Sequence, residues 1–117
     1  MKTLLLLRHA KSSQKDHKVK EDKRPLSKKG ARQAAEMGKL LHDRELLPEI
    51  VLCSPAERAC RTAEIVIGAS GYLGEIQYDE KLFMAEADQI IKVLKKVPDI
   101  YERVMIVGHN PGLESLI

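Results

Sequence analysis

Four basic side chains in this sequence lie just after a predicted strand or near the start of a predicted helix. Arg8 and His9 come directly after an apolar run of leucines, and His109 follows a second apolar run and a glycine. Arg58 lies near the start of a helix predicted to follow a third apolar run. Ligands of open parallel sheets gather beyond the carboxyl ends of the strands. We therefore predict that these four side chains converge on one pocket.

Two arginines and two histidines, with no evident Asp or Glu among them and with a helix N-terminus beside them, suit the binding of a phosphate group. A guanidinium group matches the oxygens of a phosphate with two parallel hydrogen bonds. A neutral imidazole can also attack phosphorus, and adjacent arginines would lower its pKa and keep it unprotonated near neutral pH. The same arginines would stabilise charge on the transferring phosphoryl group. The residue types thus favour phosphate chemistry with a histidine nucleophile.

A metal site is the competing use of His9 and His109. No Asp, Glu or Cys flanks either histidine at ligand spacing, and adjacent arginines would repel a cation. We therefore predict no metal at these two histidines. His17, in a charged loop, and His42, at a helix end, are interpreted as surface histidines without a role.

The apolar runs alternate with helical patterns, which predicts an α/β domain with a mainly parallel sheet and helices on both faces. The first run has no polar alternation, so we expect a strand buried on both faces. The predicted strands cover 3–7, 50–53, 76–78 and 104–107, and the predicted helices cover 28–43, 55–66 and 87–94.

Ser54, Pro55 and Glu57 predict how the second helix begins. Ser54 is expected as the N-cap, Pro55 as the first helical residue and Glu57 as the partner that completes a capping box. Arg58 then falls in the first turn, where the helix dipole disfavours a cation. A bound anion would resolve that conflict, while pairing of a surface Arg58 with Glu57 or Glu64 is the alternative.

Composition and sequence patterns disfavour several other classes of protein. A chain of 117 residues with 44% hydrophobic content fits a single domain over residues 1–117. Trp is absent and only 3% of residues are aromatic, which disfavours base stacking on nucleic acid. No stretch approaches the length of a membrane span, and two cysteines without a metal pattern fit buried free thiols. We predict a cytoplasmic protein that binds neither nucleic acid nor membrane.

A basic segment covers residues 11–32, with nine Lys or Arg against three Asp or Glu. It is either a solvated loop or a surface that attracts an anionic substrate.

Four motifs occur in order along the chain: Arg8-His9-Ala10-Lys11-Ser12-Ser13, Leu26-Ser27-x-x-Gly30-x-x-Gln33-Ala34, Ser54-Pro55-x-x-Arg58-Ala59-x-x-Thr62-Ala63 and Gly108-His109-Asn110. These ordered motifs resemble those of the histidine phosphatase superfamily, and the first resembles the SixA-type phosphohistidine phosphatases within it. The resemblance implies the phosphoglycerate mutase-like fold, with His9 as the phosphorylated nucleophile, Arg8 and Arg58 as phosphate ligands, and His109 as a further phosphate contact. It implies no metal or organic cofactor.

Two departures from the superfamily pattern qualify this expectation. Larger members carry an acidic proton donor after the third strand, where Glu80 and Glu86 stand here without a recognisable motif. An absent donor favours a substrate with a good leaving group, such as phosphohistidine. Relatives also continue beyond the position of Ile117, so we expect a domain incomplete at its C-terminus, with poor stability or association unless a partner covers the exposed face.

Three functions remain open at this point. The first is a phosphatase that acts on phosphohistidine in a protein through His9. The second is a small-molecule phosphomonoesterase with Glu80 or Glu86 as the proton donor. The third is a phosphate-binding module without turnover. The physiological substrate and the oligomeric state are not predicted.

Overall fold

The computed structural model describes residues 3–8, 27–72 and 74–109, which form a four-stranded sheet with three α-helices. Strands and helices alternate along the chain. The elements are β1 (Thr3–Arg8), α1 (Lys28–Asp43), β2 (Ile50–Cys53), α2 (Glu57–Ser70), β3 (Ile76–Tyr78), a 3₁₀ helix (Glu80–Leu82), α3 (Ala87–Lys95) and β4 (Arg103–Gly108).

All strand pairs in the sheet are parallel, and their spatial order is β1-β4-β2-β3. The register pairs Arg8 with Gly108 and Cys53 with Val107. The carboxyl ends of β1, β4 and β2 therefore lie side by side at one edge of the domain. This arrangement brings the candidate residues that follow those strands to the same edge.

The sheet carries helices on both faces, as the sequence predicts. One core cluster packs α1 and α2 against alternate strand residues, including Val51 and Met105. The other packs α3 and the 3₁₀ helix against the intervening residues, including Leu52 and Ile106. Strands in the middle of such a sheet are covered twice, which explains their continuous apolar sequence. None of the helices in the described ranges is long and apolar enough to cross a membrane.

Helix α1 begins where its capping residue predicts, and it packs closely on α2. The Gly30 N–H donates to the Ser27 hydroxyl over 3.0 Å, which makes Ser27 the N-cap. Gly38 faces α2 so closely that a Cβ at this position would collide with the backbone oxygen of Val66. The absence of a side chain at Gly38 thus sets the distance between the two helices.

Two sequence predictions about elements need correction. The leucines of β1 are only half-buried, because β1 is the outermost strand in the order of the described sheet. Helix α2 begins at Glu57 with Ala56 as N-cap, so the Ser54 capping box is wrong. The predicted third helix is present, with Ile90 and Val93 packed on the sheet and Ile91 42% exposed on the other side.

Candidate active site

Arg8, Ser54 and His109 come from three neighbouring strand ends. Arg8 is the last residue of β1 and is exposed, and its register partner Gly108 directly precedes His109. Ser54 directly follows β2, and its N–H donates to the Val107 carbonyl over 3.0 Å. That bond extends the β2–β4 pairing to the point where Ser54 and His109 leave the sheet.

Arg58 is the second residue of α2, and its side chain is buried, with 2% exposed. Its Nη2 lies 3.3 Å from His109 Nδ1 and 3.8 Å from the Met84 sulfur. These two contacts fix the orientation of the guanidinium. The alternative of an ordinary surface arginine is wrong for Arg58.

Arg61 and Glu64 form a surface ion pair of the kind that the alternative predicted for Arg58. They lie at i and i+3 on the exposed side of α2, with 3.0 Å between Arg61 Nη1 and Glu64 Oε2. One turn of the same helix thus carries a buried arginine directed to the strand ends and an exposed arginine paired on the surface. This contrast provides a matched control for functional tests of Arg58.

The ring of His109 is fixed from three sides and is 3% exposed. Arg58 Nη2 is a donor, so Nδ1 of His109 accepts the hydrogen bond and carries no proton in this arrangement. Nε2 then carries the ring proton and donates to Ser54 Oγ over 2.8 Å. The edge of the ring also meets Phe83, with 5.6 Å between ring centroids and an interplanar angle of 87°.

Ser54 has a role that the sequence analysis missed. Its hydroxyl oxygen accepts from the Ala56 N–H over 3.3 Å as well as from His109. A serine hydroxyl that bonds the N–H two residues on forms a local turn, and this turn replaces the predicted N-cap. A serine directly after a strand and before a proline is the sequence signal, but it does not reveal the histidine partner.

The segment after the 3₁₀ helix closes the other side of the site. Phe83 packs on His109, and Met84 contacts Arg58. Met84 has a φ of 50°, a left-handed conformation that is uncommon for residues other than glycine. Backbone strain of this kind tends to persist at functional sites, where surrounding contacts hold it. Neither residue was predicted as part of the site.

The other candidates from the sequence analysis are not part of the cluster around His109 that the structure describes. His9 and His17 lie outside the described residues. His42 is exposed, and its Nδ1 lies 3.3 Å from the Ser70 carbonyl oxygen. Glu80 and Glu86 are exposed at the 3₁₀ helix and at the N-cap of α3. No hydrogen bond or ion pair within the described residues joins either glutamate to Arg58 or His109.

Cys53 and Cys60 lie beside the turn at Ser54 but are poor nucleophiles. Cys53 is buried and Cys60 partly buried, and both thiols point to the Ser54 carbonyl oxygen, at 3.1 and 3.6 Å. Burial is the main cause that raises the pKa of both thiols above the ordinary value. Among the described residues, no group of three or more His, Cys, Asp and Glu could hold a metal ion.

The arrangement can bind an oxyanion at the edge of the sheet. Arg58 supplies a buried guanidinium, Arg8 an exposed one at a neighbouring strand end, and α2 begins beside them without a side-chain cap. Free N–H groups at a helix start and guanidinium groups both favour phosphate.

Comparison with known proteins agrees with this chemistry. The family model of the histidine phosphatase superfamily (branch 1) matches residues 4–88. An uncharacterised protein of Mycobacterium leprae is 35% identical over 114 residues, which are 94% of this chain and 68% of that protein. The chain thus spans about two thirds of the length of this relative.

Solved structures share the fold. The crystal structure of a candidate phosphohistidine phosphatase SixA from Agrobacterium tumefaciens has a TM-score of 0.87 and 27% identity, covering 97% of this chain and 72% of that chain. A candidate alpha-ribazole-5'-P phosphatase from Escherichia coli has a TM-score of 0.78 and 20% identity, covering 99% and 78%. The second similarity concerns the fold alone.

Proposed function

This chain belongs to branch 1 of the histidine phosphatase superfamily, and we propose that it removes phosphoryl groups from phosphohistidine in a protein through a covalent intermediate on His9. Family membership supports a phosphatase. The protein substrate is inferred from the similarity to the Agrobacterium SixA structure and from the chemistry of the site.

The buried contact between Arg58 and His109 carries the proposal. It joins residues that are 51 positions apart in the sequence and brings a guanidinium to the strand end beside Arg8. His9 follows Arg8 directly, so a phosphate held by Arg8 and Arg58 would be close to a histidine nucleophile. Burial strengthens the interaction of Arg58 with an anion because little water screens it.

In the first step, a neutral nitrogen of His9 attacks phosphorus, and the bond from phosphorus to the substrate imidazole breaks. The substrate ring takes up a proton from water at its other nitrogen and leaves as neutral imidazole. The His9 ring, which becomes positively charged as the new bond forms, loses its own ring proton to water. In the second step, water attacks the phosphoryl group on His9, the new nitrogen–phosphorus bond breaks, and inorganic phosphate is released. Arg8 and Arg58 stabilise negative charge on the phosphoryl oxygens in both steps.

The position of the acidic residues favours a phosphoramidate substrate. Expulsion of an alkoxide requires a proton donor at the leaving oxygen, whereas an imidazole leaves more readily. Glu80 and Glu86 are both exposed, and within the described residues neither forms a hydrogen bond or ion pair with Arg58 or His109.

The test compares phosphate release from a phosphohistidine-bearing protein and from p-nitrophenyl phosphate. We expect His9→Ala to abolish release from both substrates. Arg58→Lys should lower kcat/KM by about 100-fold, because lysine cannot reproduce the guanidinium geometry. Arg61→Lys is the matched control on the exposed side of α2 and should leave turnover unchanged.

Acid-labile labelling of the wild-type protein, absent from His9→Ala, would identify the intermediate. Full activity of His9→Ala would contradict the proposed nucleophile. Binding of phosphate or vanadate without any release of product would instead support the non-catalytic phosphate-binding module.

A small-molecule phosphomonoesterase is the second candidate, since the chain shares its fold with the Escherichia coli alpha-ribazole-5'-P phosphatase candidate. In that case Glu80→Gln or Glu86→Gln should collapse the turnover of alkyl phosphates. Under the leading proposal, neither substitution should slow the hydrolysis of phosphohistidine.

A further inference from the structure

A lysine-rich groove of about 460 Å³ lies between α3 and the 3₁₀ helix. Four lysines and one carboxylate line it, so the groove carries a strong positive charge. These residues are Lys81, Lys92, Lys95, Lys96 and Asp79.

Two of these lysines come from different elements and face each other. Lys81 belongs to the 3₁₀ helix, and Lys96 is the C-cap residue of α3. Lys81 lies within hydrogen-bonding reach of Lys96, and this contact and its like charge lower the pKa of Lys96. The dipole of α3 favours cations in its last turn, which accounts for Lys92 and Lys95. It does not account for Lys81, whose charge adds to that of the α3 lysines, so the lining of the groove as a whole suits an anionic partner.

The groove adjoins a smaller hollow of about 190 Å³, most of whose lining residues are apolar. Both cavities share Asp79, Val93 and Lys96, and the hollow adds Leu52 and Tyr101. A small inorganic anion would use only the lysines. A ligand with acidic groups followed by an apolar group would occupy both the lysine-rich groove and the hollow.

A short segment connects the groove to the candidate active site. Asp79 and Lys81 line the groove, whereas Phe83 and Met84 contact His109 and Arg58. The Asp79 N–H also donates to the carbonyl of Cys53, the residue before Ser54, over 3.0 Å. The segment from Asp79 to Met84 therefore contributes side chains both to the groove and to the candidate active site.

We propose that the lysine-rich groove docks an acidic segment, interspersed with apolar residues, of the protein whose phosphohistidine enters the site. This inference rests on the proposed function for the identity of the partner. The lysines pair with carboxylates of the segment, and the hollow beside Tyr101 receives an apolar side chain. Docking of this kind lowers KM for a protein substrate and leaves small substrates unaffected.

Direct binding is tested first, with a fluorescein-labelled peptide of glutamates and leucines and the His9→Ala variant, which cannot turn over substrate. Reversal of the facing pair, Lys81→Glu with Lys96→Glu, should weaken binding by about tenfold or more. The matched control is Lys39→Glu with Arg44→Glu, two exposed cations of α1 and its C-cap, because α1 packs on the other face of the sheet. This control makes the same change in net charge and should alter binding by less than about twofold.

Equal losses in the two double variants would overturn the proposal, because net charge alone would then explain binding. Displacement of the peptide by equimolar inorganic pyrophosphate would also overturn it in favour of a small-anion site. Failure of the wild-type groove to bind the peptide would have the same consequence.

Turnover separates this inference from the proposed function. Reversal of Lys81 and Lys96 should raise KM for the phosphohistidine protein while kcat/KM for p-nitrophenyl phosphate stays unchanged. A parallel loss for both substrates would overturn the docking role, because the site itself would be affected. If no variant releases phosphate although the peptide binds at the groove, the proposed function fails while docking of acidic segments stands.

Discussion

Ser54→Ala tests whether the hydroxyl of Ser54 positions His109. The substitution removes the acceptor of two buried donors, His109 Nε2 at 2.8 Å and the Ala56 N–H at 3.3 Å. A buried donor left without an acceptor costs about 1–3 kcal/mol. The longer Ala56 contact belongs at the lower end of that range, so we expect a loss of about 3 kcal/mol of unfolding free energy in total.

Urea unfolding measures the stability effect. With an m value of about 2 kcal/mol per M for a small domain, the midpoint should fall by about 1.5 M at unchanged m. The affinity for phosphate, measured by titration calorimetry, should fall as well, because His109 loses one of the contacts that fix its ring. Ser54→Thr retains the hydroxyl and should recover part of both effects.

Ser70→Ala is the matched control. Ser70 is also buried and accepts from a backbone N–H, that of Tyr72 at 3.3 Å, but it lies at the C-terminal end of α2. We expect it to lose about 1 kcal/mol of stability with unchanged phosphate affinity. The reasoning is refuted if Ser54→Ala keeps wild-type phosphate affinity, or if its stability loss does not exceed that of Ser70→Ala.

Two further measurements probe packing and ionisation. Gly38→Ala should lower the free energy of unfolding by about 1–3 kcal/mol because its methyl group meets the Val66 backbone, whereas Gly68→Ala, which points into open space, should raise it by about 0.5–1 kcal/mol; equal thermal midpoints would contradict this. Burial raises the pKa of the Cys53 thiol above its ordinary 9.0, so the unfolded chain ionises first; unfolding titrations should show stability falling as pH rises above 9.0, less so in Cys53→Ala.

The elements of the fold could be predicted because their signals are local. Continuous apolar runs identify β2 and β4, and Ser27 identifies the start of α1. The parallel sheet follows from alternation of strands and helices, and it places Arg58 and His109 at one edge. The order and direction of the strands bring these two residues near each other, so their proximity could be predicted from the sequence.

The remaining features depend on contacts between distant segments. The 2.8 Å bond between Ser54 and His109 spans 55 positions, and competition between a local turn and a helix cap decides where the Ser54 hydroxyl points. The partial burial of β1 depends on its place at the end of the described strand order, which local hydrophobicity does not reveal. Phe83 and Met84 enter the site because the 3₁₀ helix turns the chain back towards α2. That turn had no recognisable sequence signal.

The departures from local rules concentrate where α2 meets β4. Arg58 places a cation in the first turn of α2, Ala56 leaves that helix without a side-chain cap, and Met84 has a positive φ. Each feature disfavours the free domain, since helix starts favour acidic residues and capping hydroxyls and since a left-handed methionine is strained. A phosphate bound beside Arg58 would offset the first two, because it supplies negative charge and acceptors for the N–H groups at the helix start. The residues that destabilise the start of α2 are therefore the ones that a bound phosphate would stabilise. Departures from local sequence preferences of this kind are typical of functional sites.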